Sequence, residues 1–98
     1  MTRAKQADHL ILQAENLLYR LKRIPVEATD AEDKEEIEKY NTSIFAMLYG
    51  LNWISTAPEK EVEANELGGI FDNLLSDAQG ILPHIAHILD RSFAALAA

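Results

Sequence analysis

The sequence predicts an all-α fold, a small up-and-down bundle of three to four helices. Apolar residues recur at alternating steps of three and four along most of the chain, which is the period of a helix with one buried face. No segment shows the strict alternation of a half-buried strand. A chain of 98 residues is long enough to bury one core, so we expect a single helical-bundle domain over residues 1–98.

The first predicted helix runs from a cap at Thr2 to Ile24. Pro25 ends it, because proline disfavours helical geometry in the residue before it. Its core-facing series is Ala7, Leu10, Ala14, Leu17, Leu21 and Ile24, widened by Ile11 and Leu18. Leu12 and Tyr19 lie on the opposite side, about 150° from the centre of this series.

The second predicted helix begins at a capping box, in which Thr29 caps the free backbone amides and Glu32 reciprocates. Its core series is Ile37, Tyr40, Ile44, Met47, Leu51 and Ile54. Gly50 either costs this helix about 1 kcal/mol or permits another helix to approach closely. Its position between two apolar faces favours the close approach.

The second helix also carries an aromatic line, which consists of Phe45, Tyr49 and Trp53. The line lies on a different side of the helix from the core series. Each such side chain buries about 150–250 Å², so together they form an apolar surface near the upper limit for a soluble monomer. We expect a symmetric homodimer to cover it, with Leu12 and Tyr19 as further interaction residues. The alternatives are burial under a later helix of the same chain and a different protein partner.

The third predicted helix starts around Thr56, Pro58 and Glu59, with proline in its first turn. We expect a short acidic segment, a pause at Gly68 and Gly69, and a firm helix from about Leu67. Val62 falls out of phase with the core series Leu67, Ile70, Phe71, Leu74, Leu75, Ala78 and Ile81.

Gly80 and Pro83 predict the end of this helix and the start of a last one, which runs from Pro83 to about Leu96. The alternative is one continuous helix that is only kinked at Pro83. The residues that the last helix would bury are Ile85, Ile88, Leu89, Phe93 and Leu96.

The net charge of −7 is unevenly distributed. Residues 1–24 hold five basic and two acidic residues, and the densest acidic segment is residues 27–38. Nucleic-acid binding needs a basic surface, so we expect no nucleic-acid partner. The basic cluster at residues 20–23 is interpreted as complementing a helix dipole and pairing with the acidic segment. A basic first helix that acts on DNA in a dimer is the remaining alternative.

The composition also indicates where the protein resides. The absence of cysteine excludes disulfides, thiolate nucleophiles and cysteine-based metal sites. The first ten residues are charged where a signal peptide is apolar, and no segment approaches the roughly 18–20 apolar residues of a membrane span. We therefore expect a cytoplasmic protein without a membrane partner.

No set of residues predicts a catalytic, cofactor or metal site. His84, His87 and Asp90 have a spacing that could present ligands to a metal, but no Glu-x-x-His pair accompanies them. We interpret these histidines, and His9, as solvated. The serines have neither a glycine elbow nor a histidine nearby in the sequence.

The stretch NELGG at residues 65–69, followed by IFDNLL, resembles the ELGD helix of the all-α nucleotide pyrophosphohydrolases of the MazG type. That resemblance implies carboxylates that hold magnesium over a triphosphate. Glu66, Leu67 and Gly68 match, but Gly69 stands where the family has a metal-binding aspartate. Magnesium requires such hard oxygen ligands.

We therefore expect a small protein–protein interaction module, an adaptor, inhibitor or regulator that acts as a homodimeric helical bundle. A second protein partner is compatible with this expectation. The alternative is an enzyme similar to the metal-dependent nucleotide pyrophosphohydrolases.

Overall fold

The computed structural model describes residues 2–97; residues 1 and 98, the two ends of the predicted domain, lie outside this range. The five α-helices of the described part are α1 (Arg3–Lys22), α2 (Ala31–Thr56), α3 (Glu59–Ala64), α4 (Gly68–Ser92) and α5 (Ala94–Ala97), with one turn of 3-10 helix at Val26–Ala28. Since no strand occurs in residues 2–97, the all-α prediction is confirmed.

Helices α1 and α2 form an antiparallel pair. The hydroxyl of Ser55, near the end of α2, donates a hydrogen bond to the carboxylate of Asp8, near the start of α1. The predicted cap of α1 is confirmed, since the Thr2 hydroxyl accepts from the backbone N–H of Lys5 at 3.2 Å. The two helices therefore run in opposite directions along a molecule of 50 × 21 × 18 Å.

Helices α1 and α4 run parallel to each other. Arg3, at the start of α1, donates from Nε to Asp72 Oδ1 at 2.9 Å. Arg20, in the last turn of α1, pairs with Asp90 in the last two turns of α4. The three long helices thus alternate in direction along the chain, and α1 contacts both of the others.

The start of α2 differs from the predicted capping box. Asp30 is the capping residue, and its Oδ1 accepts from the backbone N–H of Asp33 at 2.8 Å. The Thr29 hydroxyl instead donates to the carbonyl oxygen of Val26 at 2.9 Å. Thr29 closes the preceding 3-10 turn, so its side chain is not available to α2. The prediction of a cap at Thr29 was therefore wrong by one residue.

The short acidic segment before α4 is itself helical and forms α3. Val62, which is out of phase with α4, is buried in this separate short helix. Glu66 has a φ of 55°, a left-handed conformation that interrupts the helix before α4 begins at Gly68. The predicted pause exists, but it lies at residues 65–67, just before the two glycines.

Helix α4 is continuous through Gly80 and Pro83, so the predicted break there was wrong and the kinked-helix alternative describes the chain better. Proline removes one backbone donor from the helix. The buried residues nevertheless continue at regular steps on both sides of Pro83, as Phe71, Leu75, Ala78, Leu82, Ile85 and Leu89. We attribute the continuity to burial of this series, which offsets the lost hydrogen bond.

The core lies between the three long helices. All six residues of the predicted α1 series are buried. In α2, Ile44, Leu51 and Ile54 are buried and the rest of the predicted series is half-buried. In α4, Ile70 and Ile81 were predicted to be buried but are exposed. The uninterrupted helix places Leu82 in the core instead of Ile81.

Candidate interaction surface

The aromatic line predicted on α2 is exposed in the chain. Tyr49 is 78% exposed, Phe45 47% and Trp53 46%. None of the three is buried, as the alternative of intrachain burial requires. The line therefore remains largely uncovered by the chain's own helices.

Trp53 also belongs partly to the bundle. Its ring meets that of the buried Phe71 on α4 edge to face, with centroids 4.8 Å apart and an interplanar angle of 81°. This is a favourable geometry for two aromatic rings. Trp53 thus has one side on α4 and the other at the surface, whereas Tyr49 lies at the surface alone.

Leu12 and Tyr19, the other predicted interaction residues, are exposed on α1. The Arg23 guanidinium lies over the Tyr19 ring, 5.6 Å from its centroid, a distance that permits a cation–π contact. Leu12 lines a shallow cleft together with Lys5, Asp8 and His9. The apolar residues of α1 are therefore interspersed with charged ones, in contrast to the aromatic line of α2.

A groove that the sequence did not predict lies between α2 and α4. Its volume is ≈ 330 Å³, and its lining residues are Ser43, Ala46, Met47, Leu51, Leu74, Asp77 and Ile81. We call it the α2–α4 groove. The signal that could have revealed it is the spacing of Ile70 and Ile81. These two residues are eleven apart, so in a continuous α4 they lie on the same side of the helix. That side differs from the one that carries the buried series from Phe71 to Leu89.

Gly50 faces α4, but no close approach within the chain requires it. A Cβ atom built on Gly50 would meet Leu74 Cδ1 at 3.5 Å, an ordinary van der Waals distance. An alanine would therefore fit. The predicted close approach of a helix at Gly50 is not made by α4, and for a helix of another chain it stays a prediction.

The charges are arranged differently from the prediction. Arg20 pairs with Asp90 of α4, and Arg23 lies over Tyr19. Within residues 2–97, the acidic segment 27–38 forms no ion pair, so its predicted pairing with the basic cluster was wrong. The Arg3 guanidinium hydrogen-bonds Asp72 and lowers the pKa of that carboxyl group.

The residues tested for metal chemistry are not assembled into a site. In the part of the chain that the structure describes, no three His, Asp or Glu side chains are grouped as ligands for a metal ion. Glu66 follows the C-terminal end of α2, whereas the acidic segment 27–38 includes its first turns. Between residues 32–36 and its C-terminal end at Thr56, α2 extends about 30–36 Å. The carboxylates considered for the pyrophosphohydrolase resemblance therefore do not converge.

Comparison of the chain with protein-family models, curated proteins and solved structures found no match. Among the described residues, no helix is both long enough and apolar enough to span a membrane.

Proposed function

We propose that this protein is a small cytoplasmic protein–protein interaction module that acts as a homodimeric helical bundle, in the role of an adaptor, inhibitor or regulator. The observation that carries the proposal is the exposure of the aromatic line beside a closed core. Tyr49 makes no ring contact with its own chain among the described residues. An exposed aromatic surface of this kind is typical of interaction sites.

The exposed area supports self-association. Aromatic side chains present roughly 150–250 Å² each, and at the observed exposures the three residues of the line leave roughly 250–430 Å² in contact with water. A standard interface buries about 800 Å² per partner, of which somewhat more than half is apolar. The line alone therefore supplies a large part of the apolar area that a stable dimer needs.

The test is the mass of the protein in solution as a function of concentration. Light scattering should report twice the chain mass of 11.0 kDa at high concentration. The Tyr49→Asp variant should remain monomeric with its circular dichroism unchanged, because the substitution puts a charge into the interface, while Tyr49 is mostly exposed and makes no ring contact among the described residues.

Ser76→Asp is the matched control, since it adds the same charge at an exposed position of α4 outside the aromatic line and the groove. It should leave the dimer intact. A wild-type protein that stays a monomer up to millimolar concentration would contradict self-association.

The enzyme alternative has its own measurement. A pyrophosphohydrolase of this kind requires a divalent metal to bind its nucleotide. We expect the melting temperature to be unchanged when Mg²⁺ or Mn²⁺ is added with nucleoside triphosphates. A rise that needs both metal and nucleotide would support the enzyme instead, because a ligand stabilises the folded state to which it binds.

A further inference from the structure

The α2–α4 interface differs from the two interfaces that α1 makes. Ser55 on α2 and Asp8 on α1 share a hydrogen bond, and ion pairs join α1 to α4 near both ends of α1. Among the described residues, no hydrogen bond or ion pair joins α2 to α4. Their apolar contacts hold these two helices together and leave the α2–α4 groove open.

Most of the exposed large apolar side chains lie on these same two helices. They are Phe45, Tyr49 and Trp53 on α2 and Ile70 and Ile81 on α4. Trp53 contacts α4 through Phe71, and Ile81 lines the groove itself. No residue of the aromatic line lines the groove itself, and Phe45 and Tyr49 line a separate shallow pocket with Leu48 and Asn52. Trp53 connects the line to α4, so we group the aromatic line, Ile70 and the α2–α4 groove under the name α2–α4 face.

We infer that the α2–α4 face is where a second copy of this chain docks, with its α2 antiparallel to the first about a two-fold axis near Tyr49. This inference rests on the proposed self-association and adds which surface carries it. In a two-fold dimer the same surface is used by both copies, so each must offer both a projection and a recess. The strongly exposed Tyr49 and the groove on the same face fulfil that condition.

The area of the α2–α4 face fits a dimer better than the α1 surface does. Ile70, Ile81 and the apolar groove lining add to the roughly 250–430 Å² of the aromatic line. The total then approaches the apolar share of a standard interface of about 800 Å² per partner. Leu12 and Tyr19 on α1 offer fewer apolar groups and lie among charged side chains, so they form a smaller and more polar surface.

The charge distribution is compatible with a second copy despite the net charge of −7. In the antiparallel arrangement the acidic segments 27–38 of the two copies lie on opposite sides of the axis, about 40 Å apart along α2. This greatly exceeds the screening length of about 8 Å at physiological ionic strength. Asp77 is the one charged residue among those that line the groove. The groove therefore lacks the acidic rim that would select a basic helix of another protein.

The absence of cysteine from the sequence permits a direct test with single cysteines and a short bismaleimide cross-linker. Ala46→Cys places a thiol at an exposed groove position one turn from Tyr49. Leu12→Cys places one at a well-exposed position of α1. We expect the Ala46→Cys variant to form covalent dimers several-fold faster than the Leu12→Cys variant, with both retaining the wild-type circular dichroism.

The outcomes separate this inference from the proposed function. If light scattering shows a wild-type dimer but the Leu12→Cys variant cross-links as fast or faster, self-association stands and the assignment to the α2–α4 face is overturned. A dimer in which neither variant cross-links overturns the assignment as well. A wild-type protein that is monomeric at every concentration overturns both the inference and the proposed function.

A second pair of variants tests the face without a cross-linker. Ile81→Gln and Leu12→Gln each replace one exposed apolar side chain by a polar one on a helix. We expect Ile81→Gln to weaken dimerisation about tenfold or more, because Ile81 becomes buried in the dimer. Leu12→Gln should leave the dissociation constant unchanged. Equal effects, or a larger effect of Leu12→Gln, would overturn the assignment.

Discussion

Helix α1 packs closely against both α2 and α4, whereas α2 and α4 leave a groove between them. Ala7 and Ala14 of α1 are fully buried, and small side chains permit close helix packing. Polar contacts join α1 to α2 and to α4. Between α2 and α4 the packing leaves a groove, although Gly50 would permit a closer approach.

On the proposed self-association, we expect the two kinds of interface to have different roles. Burial on α1 closes the core of the bundle, so we expect substitutions there to change the free energy of unfolding. Substitutions on the α2–α4 face should change association first and folding second. The following predictions test this contrast, in order of decreasing effect.

Leu17→Asp should have the largest effect. Leu17 is buried on α1, and an unpaired carboxylate at such a site costs more than about 4 kcal/mol, a large part of the usual stability of a domain. Circular dichroism should show loss of most helicity at 25 °C. Gln13→Asp, at an exposed position of the same helix, should remain folded. A folded Leu17→Asp protein would contradict the closed α1 interfaces.

Trp53→Asp should have an intermediate effect on stability and abolish self-association. The substitution removes the edge-to-face contact with Phe71, so we expect a loss of about 1–3 kcal/mol with the helices retained. Tyr49→Asp should abolish self-association and leave the free energy of unfolding of the monomer unchanged, when both proteins are measured at a concentration low enough for the wild type to be monomeric. If Trp53→Asp unfolds the chain as completely as Leu17→Asp, the aromatic line belongs to the core and the contrast fails.

Gly50→Ala and Ala14→Val compare the open and closed interfaces directly. A Cβ at Gly50 meets only ordinary contacts, so Gly50→Ala should stabilise the chain by up to about 1 kcal/mol through helix propensity. Ala14 is fully buried, and Ala14→Val should destabilise it by about 1–3 kcal/mol through overpacking. Urea unfolding at micromolar concentration measures both. Gly80→Ala, where nothing lies within 4 Å of the added Cβ, gives the propensity effect alone.

Asp72→Asn should have the smallest effect, and it should depend on pH. The hydrogen bond from Arg3 lowers the folded-state pKa of Asp72 below its ordinary value of 3.8. The ion pair therefore stabilises the folded state above pH 3.8, and this contribution is lost as the pH falls through the lower folded-state pKa. Melting temperatures of wild type and Asp72→Asn should differ slightly at pH 7, and the difference should shrink as the pH falls below 3.8. A difference that does not change with pH would assign the effect to something other than the charge.

Several features of the fold could be predicted from the sequence because they depend on local periodicity. The buried series of α1 and the cap at Thr2 follow from residue spacing within a single helix. The exposure of the aromatic line is likewise consistent with its position on a different side of α2 from the core series. Steps of three and four fix which side of a helix is apolar, whatever the neighbouring helices do.

The cap of α2 and the continuity of α4 could not be predicted, because the local sequence favours two alternatives almost equally. Thr29 and Asp30 are both good capping residues, and the 3-10 turn of Val26–Ala28 decided between them. Gly80 and Pro83 favour a break, but the packing of α4 along α1 favours continuity, and packing prevailed.

By itself, therefore, the sequence determined the helical class, the apolar side of α1 and the location of the aromatic line, because these are properties of single helices. Only the tertiary structure decided that α4 continues through Pro83, that Leu82 replaces Ile81 in the core, and that a groove remains between α2 and α4. The physical reason is that an uninterrupted α4 determines which side of the helix each residue after Gly80 faces. A groove, in turn, depends on the distance between two helices, which no spacing within one helix records.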